Sequence, residues 1–306
     1  MKIQYVKHQE INYSKWDKCI SQSVNNILYA YSWYLDIVAE GWDALVGDDY
    51  KAVMPIPAGK KYGFRYVLQP LFAQQLGIFS GDRLSADIIH LFLSSIPQEF
   101  RLQNINLNKF NTVKGNDHTL NYFKTHELDL IEPYDKAIKE YSENTRRNIK
   151  KAITQKITIG KGINPNQFVD FIKEHTGPKV KNLDDYGYMK IRKIVSVCIR
   201  KRISEIYTAY SHNNTLCATA FFPTAGQKSI YLFAASSPEG MENRAMFLLI
   251  DRYIHDHSEQ NLTLDFEGSN IESLARFYKG FGAIECLYPN VRKNNLPWYI
   301  KLFKKA

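Results

Sequence analysis

A chain of 306 residues is about twice a typical domain, and its 44% hydrophobic content with only 16 glycines and 11 prolines leaves little room for long disordered tracts. The 40 lysines and arginines exceed the 31 acidic residues, and the net charge of +9 favours an anionic partner without naming one, because the basic residues are spread over many segments. No stretch reaches the roughly 18 apolar residues of a membrane span, and the first residues lack the apolar run of a signal peptide, so a cytoplasmic protein without membrane insertion is expected.

Along the chain, residues 14–28 (SKWDKCISQSVNNIL) have the apolar spacing of a helix opened by Ser14, and SWYLDIVA, from Ser32, predicts a short second helix. WDALVGDD, YKAVMPIPAG and FRYVLQPLF read as three strands, with GDD and PAGKKYG as turns. RLSADIIHLFLSSIP has helical spacing up to Pro97, and the strand-like RLQNINLN and YFKTHELDLI follow. SENTRRNIKKAITQ then predicts a charged bridging helix capped by Ser142. Beyond it the order recurs. NPNQFVDFIKEH and DYGYMKIRKIVSVCIRKR are expected as helices, and ISEIYTAYSH, TLCATAFFPTA and SIYLFAAS as strands. MENRAMFLLIDRYIHDH reads as a helix, LTLDFEG as a strand, IESLARFYKGF as a helix and AIECLYP as a last strand. Two stretches with one element order, 1–150 and 151–306, predict an α/β chain of two like domains, each a mixed, mostly antiparallel sheet flanked by helices.

The chemistry-bearing groups gather late in the chain. A strand leaving through Asp265 and Glu267, with a helix starting near Asn270, puts two carboxylates at the carboxyl end of a strand, where open α/β sheets bind ligands. Either would act as general base toward an amine if burial raised its pKa, and either would equally cap the helix. Ala235, Ser236, Ser237, Gly240, Asn243 and Arg244 surround the start of the preceding helix, a candidate donor site because helix N–H groups attract phosphate. Glu239 and Glu242 oppose a pyrophosphate there. In the first half, Trp33, Tyr34 and Gln69 would line an acceptor pocket, or form an ordinary core with polar rims. Cys19, Cys198, Cys217 and Cys286 lie far apart without metal-ligand spacing, which predicts reduced thiols and no metal site.

Residues 142–152 (SENTRRNIKKA) and 265–283 (DFEGSNIESLARFYKGFGA) resemble the FemAB/FemX aminoacyltransferase family, whose members carry two GNAT (N-acyltransferase-type) domains. The resemblance implies two tandem GNAT-like domains and transfer of an acyl or aminoacyl group to an amine, on a small molecule or a cell-wall precursor. It implies acyl-CoA or aminoacyl-tRNA as co-substrate and no further cofactor. The GNAT pattern A-R-x-x-Y-x-x-x-G places its thiolate-protonating tyrosine on Tyr278, with Ala275 one residue closer than the pattern has it. The FemAB pattern F-K-x-x-F-G places its lysine on the same residue, with Lys279 one position late. Tyr278 reads equally as core. Arg146, Arg147 and Lys150 on the basic helix would bind an anionic acceptor, with tRNA among the implied partners. Two alternatives stand beside this reading: a coenzyme A dependent N-acyltransferase of a small amine, and a non-catalytic basic nucleic-acid binder, although no helix-turn-helix, RRM or zinc module can be read.

Overall fold

A computed structural model describes residues 1–61, 63–114, 118–176, 183–268 and 270–297. The chain forms two compact units, one of Met1–Phe123 joined by the residues from Leu287 onward, the other of Lys124–Cys286. The divide expected at residue 150 therefore falls inside a helix of the second unit, and the first unit is discontinuous in sequence. The last strand expected at AIECLYP is present, but its return to pair within the first unit's sheet has no local signature, which is why the sequence reading missed that pairing.

The first unit begins with β1 (Ile3–Val6), α1 (Tyr13–Gln22) and α2 (Ser32–Val38). Asn12, not Ser14, opens α1: its side chain accepts from the Lys15 N–H at 3.0 Å. β2 (Asp43–Gly47), β3 (Ala52–Ile56), β4 (Ala58–Lys61), β5 (Phe64–Leu68) and β6 (Phe79–Ser80) follow, then α3 (Ala86–Ser94) and β7 (Phe100–Asn106). β4 occupies most of the segment expected as a turn, of which Tyr62 lies outside the described residues.

The chain enters the second unit along β8 (Thr119–Asp129) and continues through α4 (Tyr134–Ala137), α5 (Glu143–Thr154), β9 (Thr158–Lys161), α6 (Pro165–Thr176) and α7 (Asp185–Lys201). Ser142 caps α5 as its sequence predicts, accepting from Thr145 N–H at 3.1 Å. β10 (Ser204–Tyr210), β11 (Leu216–Ala225), β12 (Lys228–Ile230), β13 (Phe233–Ser236), α8 (Pro238–Glu242), α9 (Ala245–His257), β14 (Thr263–Asp265) and α10 (Glu272–Lys279) complete it. β15 (Ile284–Asn294) leads back into the first unit.

One topology is used twice. In the first unit β4 pairs antiparallel with β5, β3 with β6, and β5 runs parallel to β7. In the second, β11 pairs antiparallel with β12 and then β13, and β12 runs parallel to β14. The parallel strand is followed in each case by an antiparallel neighbour, β15 beside β7 and β8 beside β14. What reads in sequence as one strand, SIYLFAAS, is thus split between two partners, with Tyr231 and Leu232 at the change. Likewise the long helix expected from Met241 breaks where Arg244 adopts φ +60°, separating α8 from α9. Each unit has its own core: Leu45, Met54, Ile78, Phe92 and Ile105 in the first; Tyr207, Phe222, Leu249, Tyr253, Leu264 and Phe281 in the second. Burying side chains of this size contributes about 1.5–3 kcal/mol each. Cys19, Cys198 and Cys217 are buried free thiols and Cys286 is half-buried. Among the described residues no helix is long and apolar enough to cross a membrane.

Candidate active site

The second unit's parallel strand pair opens at its carboxyl end. β12 and β14 are in register through Ile230 and Asp265, and the Tyr231 N–H reaches the Asp265 carbonyl at 2.8 Å. There β13 turns away to pair with β11, and β14 ends without that neighbour. The carboxyl end of such a strand is the usual binding position in open α/β sheets.

The two carboxylates at this end have different surroundings. Asp265, 1% exposed, accepts from Thr125 Oγ1 at 2.5 Å, from the Glu267 N–H at 3.0 Å and from Lys228 Nζ at 3.1 Å. Lys228 also bonds Glu127 Oε1 at 2.5 Å. Burial alone would lower the Lys228 ammonium, but the charges of Asp265 and Glu127 outweigh it and hold its pKa above the usual lysine value. With both oxygens committed, Asp265 is part of a buried ion cluster. Glu267 follows in a left-handed conformation, φ +54°, and burial pushes its carboxyl up to about 8. Neither residue caps the helix beyond: α10 starts at Glu272, with Ile271 at its N-cap and no side-chain cap bond.

Tyr278 lies on the buried side of α10, 5% exposed, its ring stacked on Phe266 at 4.8 Å and 20°. Tyr231 meets it edge-on at 6.2 Å. Burial first, then the charges of Glu267 and Asp265, raise its hydroxyl pKa above the ordinary tyrosine value. This placement makes Tyr278 part of the second unit's core. Lys279 is on the other side of α10, paired with Glu285 at 3.0 Å.

Sequence reasoning missed His126. It sits on β8 where the ladder continues from Glu127 opposite Asp265, and its carbonyl accepts the Phe266 N–H at 2.9 Å. The ring is fully buried, 6.2 Å from the Tyr278 ring, and neither nitrogen has a hydrogen-bond partner. The available signal was a histidine between Thr125 and Glu127 in a strand flanked by leucines. Burial, and then the nearby Lys279 charge, depress its pKa, so the imidazole is neutral at physiological pH.

The candidate donor residues lie together along β13 and the α8–α9 corner, but several have structural tasks. Ser237 caps α8 by accepting from Gly240 N–H at 3.1 Å. Gly240 is small because α8 packs on β11: a Cβ there would fall 2.0 Å from the Cys217 carbonyl oxygen. Ala235 is buried in the β11 ladder opposite Thr219, Ser236 ends the strand, Asn243 follows α8, and exposed Arg244 is the break before α9. The candidate acceptor residues divide between the units, Trp33, Tyr34 and Gln69 in the first and Arg146, Arg147 and Lys150 in the second. Tyr34 is fully buried and donates to the Phe72 carbonyl at 2.5 Å; Gln69 bridges the Asn106 N–H and the Ala73 carbonyl; half-buried Trp33 packs on Tyr34 at 5.5 Å. Arg146, Arg147 and Lys150 are on the exposed face of α5 within the second unit, with Arg146 donating to the Lys139 carbonyl and Arg147 to Asn144.

The first unit's counterpart of the opening is filled by the chain itself. Residues 69–78 run between β5 and β6, and Leu76 bridges Leu107 beyond the end of β7. Asn111 accepts from Ile78 N–H at 2.8 Å and donates to its carbonyl at 3.0 Å, and Asn108 donates to Leu76 O. Asn111 lies against Gly77, where φ is +98° and a Cβ would meet its Oδ1 at 2.3 Å. Elsewhere on this unit, open depressions of about 410 and 630 Å³ flank the Asp48–Tyr50 turn, but Lys15 and Asp49 are already paired at 2.7 Å and Tyr50 holds Asn12.

Comparison with known proteins bears on this arrangement through the fold. No protein-family model and no curated protein sequence matches the chain. Among solved structures, FemX aligns over 99% of this chain and 100% of its own at 14% identity and a TM-score of 0.68. L-PGS from Bacillus licheniformis aligns over 95% of both chains at 11% identity and a TM-score of 0.55. A tandem GNAT protein from the clavulanic acid biosynthesis pathway covers 97% of this chain and 99% of its own at 11% identity and 0.50. The chain has the FemX-like tandem GNAT fold: two mixed α/β units, each with its sheet flanked by helices.

Proposed function

We propose that the second unit transfers an acyl or aminoacyl group to an amine, with Glu267 taking the first proton from the incoming ammonium. The observation behind this reading is a carboxyl raised to about 8 at the open end of β14, beside a split strand. An amine nucleophile arrives protonated near neutral pH, and a base whose pKa is close to the working pH is the one best matched to strip it. The FemX-like fold supports a transfer reaction, and Glu239 and Glu242 beside the donor corner favour an aminoacyl ester over a pyrophosphate-bearing thioester.

The test is transfer from aminoacyl-tRNA or from acyl-coenzyme A to a panel of amines, in wild type and Glu267→Gln. The variant is expected to lose about 10²–10⁴-fold in rate. The base works ionised, so the wild-type rate should fall as pH drops through about 8. A Glu267→Gln protein that transfers at the wild-type rate would remove Glu267 from the mechanism. Calorimetric titration with coenzyme A separates the donors: tight binding that depends on residues 236–244 would favour the thioester.

A further inference from the structure

We propose that His126 is the proton relay behind Tyr278: it takes the second proton shed by the attacking nitrogen and returns it to the Tyr278 hydroxyl as that hydroxyl protonates the leaving group. The inference rests on the transferase reading above and extends it to a proton-transfer residue outside the expected constellation.

The geometry comes first. An imidazole with one donor and one acceptor, fully buried and without a partner for either nitrogen, is a rare and costly arrangement in a folded core. The Tyr278 hydroxyl also makes no hydrogen bond with a described residue. The imidazole and the Tyr278 hydroxyl belong to one cluster, ring centroids 6.2 Å apart and tilted at 49°, at the strand end that bears Glu267. Phe266 fixes both: its ring stacks on Tyr278 and its N–H bonds the His126 carbonyl. A water or ligand atom placed between the imidazole and the hydroxyl would satisfy both.

The chemistry gives such a pair a use. When an ammonium becomes an amide nitrogen, the C–N bond forms, the bond from the carbonyl carbon to the leaving oxygen or sulfur breaks, and nitrogen sheds two protons. One goes to Glu267 and on to solvent. The other must reach the leaving group, which Tyr278 has just protonated, so the tyrosine has to be reloaded. A neutral imidazole accepts that proton from the positively charged nitrogen of the tetrahedral intermediate and passes it to the tyrosinate, a much stronger base. The groups around the ring keep it receptive. Lys124 on β8 and Lys279 on α10 oppose its protonation, while Glu285 on β15 and Asp265 on β14 favour it; burial decides the balance for the neutral form.

A double-mutant cycle with a pH profile tests the relay. His126→Asn should slow transfer by about 100-fold in the wild-type background and less than about twofold beside Tyr278→Phe, because the relay has nothing to reload there. Equal losses in both backgrounds would mean a structural role and would overturn the proposal. In wild type the logarithm of the rate should fall with slope one below about 8 and slope two below the His126 pKa, whereas His126→Asn keeps slope one. Loss of the upper break alone removes Glu267 and leaves the relay; absence of the lower break alone removes the relay. Nitrogen NMR of His126 needs no turnover: Tyr278→Phe should shift its tautomer balance, and an unchanged spectrum would refute the link.

Discussion

Replacing Glu267 by glutamine should stabilise the protein in alkaline solution and leave it unchanged in acid. The carboxyl stands at about 8 in the fold against an ordinary value of 4.5, and the cause is burial. A raised acid is at no disadvantage below 4.5, where it is protonated in both folded and unfolded chains. Between 4.5 and about 8 the unfolded chain ionises and the folded one does not, so stability falls by about 1.4 kcal/mol per pH unit. Above 8 the loss is complete, about 5 kcal/mol as an upper figure. Glutamine has nearly the same shape and no charge to desolvate. Chemical denaturation of both proteins from pH 4.5 to 9 should show the Glu267→Gln advantage growing to pH 8 and then levelling off. A difference that stays constant across that range would refute the assignment of a buried, proton-holding carboxyl.

Lys228→Met should destabilise the second unit by about 3–5 kcal/mol, because Asp265 and Glu127 would remain buried without their cation; part of that loss should be recovered near pH 4, as denaturation curves would show. Asn111→Ala should leave the Ile78 N–H and carbonyl without that partner at a cost of about 1–3 kcal/mol, and limited proteolysis should then cut within residues 69–78.

Sequence reading was most informative where the signal is local. Ser142 capping α5, the apolar spacing of α7 and α9, and the three-strand meander of β10, β11 and the following strand are each written in a few neighbouring residues, because a cap or an amphipathic face needs only local geometry. The repeat was legible as well, since element order survives when residue identity does not. The edge strands β1 and β9 were missed: four residues of weak alternation look like loop until a neighbour supplies the hydrogen bonds. The split of SIYLFAAS was also invisible, because Tyr231 and Leu232 have strong strand propensity and only their partners decide where the ladder changes.

For the site, the sequence by itself placed Asp265, Glu267 and Tyr278 around one strand end, because spacing along a strand, a turn and a helix fixes that much. It did not separate their tasks. Asp265 and Glu267 are chemically alike, and what distinguishes them is Lys228, Thr125 and Glu127, brought from two other strands. His126 depends on tertiary structure in the same way: pairing of β8 with β14, across more than a hundred residues of chain, buries its ring beside Tyr278. Charge state and burial are properties of the assembled neighbourhood, so only the folded chain could decide which carboxyl holds its proton.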